Sequence, residues 1–143
     1  MTTAIDIADA VVAELNGRTF SQPFTAQRAY LPVFDLKDMA DLHVTVVPRG
    51  VEIVAAGRGQ SQTDFTVDVA VQHKPADLAN ATLDGLMSLV NEIAGFFFGR
   101  RLSGDMSRAV WVKTANVPIY LPKHLEELRQ FTSVLSLTFR VIE

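Results

Sequence analysis

The sequence has no cysteine, which excludes disulfides and thiolate metal sites and suits a reducing compartment such as the cytoplasm. Although 48% of its residues are apolar, no uninterrupted apolar run approaches the ~18 residues that a membrane span requires. No membrane partner is therefore expected. The start, Met1-Thr2-Thr3-Ala4-Ile5-Asp6, lacks a basic segment leading into an apolar one, so no secretory signal is read. Basic residues are not in excess either: 13 Lys and Arg stand against 16 Asp and Glu, with a net charge of −3 and a pI near 5.6. That balance argues against a nucleic-acid binder, which normally carries a strongly basic face.

Motifs for chemistry are missing as well. His43, His73 and His124 fall in three separate segments without the short spacing of a zinc site. Gly57 and Gly59 begin a dinucleotide-binding glycine pattern, but Gln62 holds the third glycine position and a strand follows where a helix is required. Asp35, Asp38 and Asp41 recur at every third position of a short helical turn, yet the glycine of a calcium loop is absent, so a capped, solvated turn is expected. No serine lies in a nucleophile elbow. Glu126 and Glu127 could pair as acid and base, but Lys123 stands four residues before Glu127, the spacing of a solvated ion pair. Asn80-Ala81-Thr82 matches a glycosylation sequon, which carries no meaning without secretion. No catalytic residue, metal site or cofactor is expected. With 143 residues and no internal repeat, the chain reads as a single domain with a structural or binding role.

What the sequence does contain is centred on residues 63–100. Phe65, Val67, Val69 and Val71 alternate with Asp64, Thr66, Asp68 and Gln72, the period of a strand with one buried face. Pro75 cannot donate to a sheet ladder, so the strand should stop before it. A helix follows, starting between Asp77 and Asn80, either of which can cap it. Leu83, Leu86, Met87, Val90, Ile93, Ala94 and Phe97 recur at steps of three and four, opposite Asp84, Ser88, Asn91, Glu92 and Gly95. Burying half a dozen such side chains at ~1.5–3 kcal/mol each contributes on the order of 10 kcal/mol before chain entropy is counted. This helix is expected to carry the core. Leu89 and Phe96 lie about 100° from the centre of that stripe and leave two readings, a wider core face or a second apolar strip for a neighbouring subunit. Arg100 and Arg101 follow Gly99 at the helix end, where cations complement the dipole.

Residues 3–16 predict another helix, with Thr3 and Asp6 spaced as a capping box, Gly17 at the end, and Ile5, Ala8, Val12 and Leu15 in one stripe beside Val11. Residues 18–33 alternate imperfectly and are interrupted by Pro23 and Pro32, which predicts an edge strand or an arm reaching outward. Residues 43–47 and 51–56 are expected as two strands joined through Pro48-Arg49-Gly50, forming a three-stranded antiparallel meander with the strand from Thr63. Residues 109–114 predict a short strand with the only tryptophan, Trp111, followed by a second proline-punctuated arm at about residues 115–122 and a turn of helix at 125–129. In the last strand Phe131, Leu135, Leu137, Phe139 and Val141 share one face, with Thr132, Ser136, Thr138 and Arg140 on the other. A chain ending in a core strand is expected to be complete there.

The order of these parts resembles the tail terminators, or tail-completion proteins, of long-tailed DNA bacteriophages. The resemblance is carried by Asp41-Leu42-His43-Val44-Thr45-Val46-Val47-Pro48 with Val51-Glu52-Ile53, by the strand of residues 64–72, by the helix through residues 86–101 and by the ending at residues 131–141. It implies an α+β fold: a mostly antiparallel sheet of about five to six strands with the long helix and the N-terminal helix packed on one face, residues 1–143 forming one terminator-like domain with two extended arms. It also implies a structural virion protein and no enzyme. Such a protein forms a ring, expected to hold six copies, that caps the tail tube, ends its polymerisation and joins the tail to the head connector. The implied partners are further copies of the chain, the tail tube protein and a head-completion or connector protein, with DNA only passing through the channel. The implied place is the tail-neck of the virion, after assembly in the host cytoplasm.

A cyclic ring uses head-to-tail contacts, so two different patches on each copy must be complementary. The candidates are Phe24, Arg28 and Tyr30 on the first arm, Tyr120 on the second, Arg58 in the hairpin and Phe96 on the long helix, chosen largely for aromatic content. Acidic copies in a ring would repel a duplex and let it slide. Two other readings stay open. One is a different neck component, a head-closure stopper or adaptor. The other is a small-ligand-binding domain, or an enzyme using Asp68 or Asp105, which requires a concave pocket with converging polar groups.

Overall fold

A computed structural model of the chain describes residues 1–31 and 40–143. The turn expected around Asp35 and Asp38, together with Pro32 and Val33 of the first arm, lies outside the described residues. The rest forms an α+β structure of five strands and three helices, as the sequence predicts. In chain order these are α1 (Ala4–Asn16), β1 (Ala26–Arg28), β2 (His43–Gly57), β3 (Gln60–His73), α2 (Asn80–Phe97), β4 (Val110–Ala115), α3 (Pro122–Leu128) and β5 (Phe131–Ile142). The sheet order is β1-β2-β3-β5-β4, antiparallel throughout except for the parallel pair β1 and β2.

α1 starts with the expected capping box: the Asp6 amide donates to the Thr3 hydroxyl (3.2 Å) and the Thr3 amide to the Asp6 carboxylate (3.0 Å). Its buried stripe is Ile7, Ala8, Val11 and Leu15, while Ile5 is exposed and Val12 only half-buried. The helix is thus rotated from the predicted stripe. Apolar residues run most of the way round α1, so periodicity alone did not set which of them met the sheet.

Asp77 makes the turn into α2, accepting from the Ala79 amide and the Thr82 hydroxyl, both at 2.9 Å. Leu86, Leu89, Val90, Ile93 and Phe97 are fully buried, so Leu89 belongs to the core face. They pack with α1 against Phe65, Val67, Val69 and Val71 of β3 and Leu135, Leu137 and Phe139 of β5 in one continuous core. The opposite face of the sheet carries Asp64, Thr66, Asp68, Ser136, Thr138 and Arg140.

The expected three-stranded meander is corrected. Residues 43–57 form a single strand, and Pro48-Arg49-Gly50 is a bulge: Pro48 pairs with Val67 and Gly50 with Thr66, leaving Arg49 as the extra residue. A bulge absorbs one residue without ending the ladder, and β1 pairs with β2 only from Val44 to Val46, before Pro48 is reached. The turn falls instead at Arg58-Gly59, where Gly59 takes a φ of +72° that a side chain would oppose. The resulting hairpin is long. Fifteen extended residues span about 50 Å at ~3.3 Å per residue, against about 27 Å for the eighteen residues of α2 at ~1.5 Å. The hairpin overruns the helices, and Val51 and Ile53, on the helix side, are 49% and 54% exposed.

The segment after β4 runs along the start of β5. The Leu121 amide donates to the Thr132 carbonyl (2.9 Å), the Ser133 hydroxyl to the Ile119 carbonyl (2.7 Å) and the Asn116 amide side chain to the Val134 carbonyl (2.8 Å). Among the described residues no helix is long and apolar enough to cross a membrane.

Candidate functional site

Among the described residues chemistry-bearing groups do not converge. Among the described residues no cluster of His, Asp and Glu could hold a metal ion. His124 meets the Thr132 hydroxyl at 3.0 Å. Asp68 accepts from the Ser136 hydroxyl at 2.7 Å and lies 3.5 Å from Arg49, while Asp105 stands exposed in a short turn. Glu126 and Glu127 are exposed on α3. What the fold presents instead are aromatic and apolar surfaces.

The first lies where the segment after α1 crosses α2. Phe20 stacks on Phe24 (ring centroids 5.4 Å apart) and meets Phe96 edge-on (5.6 Å); Phe96 in turn meets the buried Phe97 at 5.0 Å. Two guanidiniums sit over the Phe96 ring, Arg100 at 4.0 Å and Arg18 at 5.0 Å, in cation–π contact. Arg100 is held by Glu14 (3.3 Å), which also accepts from the Ser103 amide (2.9 Å). Ser21 is bound to Glu92 through both its amide and its hydroxyl. A groove of about 490 Å3 opens beside Arg18, Phe96 and Arg100. Phe96 is therefore half-buried among residues of its own chain, and Phe24 joins it through Phe20.

The remaining predicted residues are dispersed. Arg28 pairs with Asp9 at 2.7 Å and lies 5.8 Å from the Tyr30 ring, and the hydrogen bond to Asp9, then Tyr30, raises its pKa. Tyr30 is 66% exposed. Arg58 sits at the hairpin turn by the start of β3, whereas Tyr120 is half-buried near Thr132, which pairs with Gln72 at the other end of that strand.

Sequence reasoning missed a further surface. Phe98 is 72% exposed at the end of α2, its ring 4.9 Å from that of Trp111, whose indole donates to the Thr114 hydroxyl at 2.8 Å. With Ala94 and Val112 they line a mostly apolar groove of about 490 Å3 along β4. The signal was available in Phe96-Phe97-Phe98. Consecutive helical residues point ~100° apart, so three aromatics in a row cannot all enter one core. The overhanging Val51 and Ile53 gave no such signal, because an alternating strand looks the same whether or not a helix reaches it.

No protein-family model and no curated protein matches the sequence. Solved structures do share the fold. One, from the virion of the native gene transfer agent (GTA) particle, superposes with a TM-score of 0.56 at 15% identity, covering 96% of this chain and 95% of its own. Another is the PVC sheath/tube terminator of an extracellular contractile injection system in its extended state. It superposes at 0.51 and 21% identity over 100% of this chain, which spans 57% of that longer one.

Proposed function

We propose that this chain is a structural component of a phage-type tail: a ring, expected to hold six copies, that caps the tail tube, ends its polymerisation and joins the tail to the head connector. The observation that carries this reading is the likeness in fold, over nearly the whole chain, to a component of a virion-like particle and to a sheath/tube terminator. A role made of contacts also agrees with a surface that offers exposed apolar residues at the hairpin and beside β4 and no convergent catalytic groups among the described residues. The partners on this reading are copies of the chain, the tail tube protein and a head-completion or connector protein, with DNA passing through. Residues Tyr30, Arg58 and Phe96 with its arginines are the proposed contact points, alongside Arg28, Phe24 and Tyr120. The net charge of −3 per copy would keep a passing duplex from adhering.

The test is to remove the chain from an assembling particle and image the products. Tails of uncontrolled length without heads are expected. Tails of normal length lacking heads would point to a head-closure component, and normal infectious particles would end the proposal.

A further inference from the structure

The two edges of the sheet match one another. β1 pairs with β2 only at Val44, Thr45 and Val46, and the Ala29 amide reaches the Val46 carbonyl at 3.0 Å; from Val47 onward no described strand pairs with that edge. On the far edge, β4 is engaged only at its start, where the Trp111 amide donates to the Arg100 carbonyl (3.0 Å) and the Leu102 amide to the Ala109 carbonyl (3.0 Å). Beyond Trp111 that edge is open among the described residues. Open edges invite pairing with another chain.

The strand registers bring these free stretches to one height. Trp111 pairs with Phe139, Phe139 with Phe65 and Phe65 with Val51; likewise Ala115 leads through Ser136 and Asp68 to Val47. The free edge of β4 therefore stands level with the free edge of β2. Direction matches too. β4, β5, β3 and β2 are each antiparallel to the next, so β4 runs opposite to β2. Copies in a cyclic ring keep one orientation relative to its axis, which sets β4 of one copy antiparallel to β2 of the next.

Side chains agree with this placement. Val51, exposed on the helix side of β2 and level with Trp111, would meet the Phe98–Trp111 groove, which opens on the helix side of β4. On the opposite face Lys113 is level with Gly50, one diagonal step from Glu52, a reach that long side chains make. We propose that neighbouring copies join by antiparallel pairing of β4, from Val112 to Ala115, with the adjacent copy's β2, from Val47 to Gly50, Val51 seated on Phe98 and Trp111 and Glu52 beside Lys113. This deepens the ring reading and rests on it.

The absence of cysteine makes the test clean. Glu52→Cys and Lys113→Cys, singly and together, are treated with a short bismaleimide at rising protein concentration and on isolated tail tubes, with native mass spectrometry run in parallel. The double variant should give a ladder of covalent multimers beyond the dimer. Each single variant should give none, and a mixture of the two singles should stop at the dimer. Rings seen by mass spectrometry without the ladder, or dimers from a single variant, would overturn the edge pairing and leave the ring standing. No self-association either alone or on tubes would remove both.

Discussion

Arg140 and Asp64 face each other across β5 and β3, guanidinium to carboxylate at 2.8 and 3.1 Å, at positions directly paired in register. The hydrogen bonds from Arg140 hold the Asp64 carboxyl below its ordinary value of 3.8, against the smaller opposing effect of burial. A carboxyl with a depressed folded pKa adds stability that is complete above its unfolded pKa and is lost as pH falls through the folded one. Asp64→Asn should thus be less stable than the native chain at neutral pH, and the gap should close on acidification below 3.8. Urea titrations monitored by circular dichroism from neutral to acid pH check this. A gap that stays constant would mean that the pair adds nothing through charge. Some acid sensitivity should persist in the variant, because Asp6 and Asp77 are also lowered, chiefly by the Thr3 and Ala79 backbone amides.

Leu89 and Val90 are both fully buried on α2. Leu89→Ala should cost about 2–5 kcal/mol in chemical denaturation, the range for a truncated core leucine. Val90→Asp should not fold, since an unpaired charge would enter an apolar core. A soluble, cooperatively melting Val90→Asp protein would contradict the orientation of the helix.

Arg49 is the extra residue of the β2 bulge, standing opposite no residue of β3 in the register. Its side chain is mostly exposed and reaches Ser136 at 3.1 Å and Asp68 at 3.5 Å. Deleting it leaves Pro48 opposite Val67 and Gly50 opposite Thr66, and keeps Val51 on the same face. The deletion variant should therefore fold, with a stability loss within about 1 kcal/mol, the scale of an exposed ion pair. If Pro48-Arg49-Gly50 were a hairpin turn, removing its central residue would break the register and the protein with it.

The sequence made the parts with strict periods legible: the alternation of β3 and β5 and the Thr3–Asp6 cap stand as read, and the α2 stripe stands at Leu86, Val90, Ile93 and Phe97 but is shifted towards Leu89, with Leu83, Met87 and Ala94 only half-buried. It misled where one local signal serves two structures. Pro48-Arg49-Gly50 reads equally as turn or bulge, and only the partner strand decides. Ile5 and Ile7 are equally apolar, so the rotation of α1 was set by the sheet it met. The contact residues were harder still, because aromatic content marks candidates without saying which of them the chain itself covers. Phe24 and Phe96 turn towards their own core, whereas Phe98 and Val51 stay exposed.

That distinction separates two substitutions on the first arm. Phe24 is stacked on Phe20 and half-buried, so Phe24→Asp should lower the melting temperature whether or not Phe24 also touches a partner. Tyr30 is 66% exposed, with Arg28 5.8 Å from its ring, so Tyr30→Asp should shift stability by no more than about 0.5 kcal/mol, as surface changes do. On the proposed contact role, Tyr30→Asp should nevertheless reduce tail joining, because a charge would enter an interface built on an aromatic side chain. Thermal melts of the purified variants and counts of joined particles provide the two readouts. Unchanged melting with lost joining would assign Tyr30 to a contact. Unchanged melting with full infectivity would make it plain surface, and the first arm would then matter only through the aromatic cluster that ties it to α2.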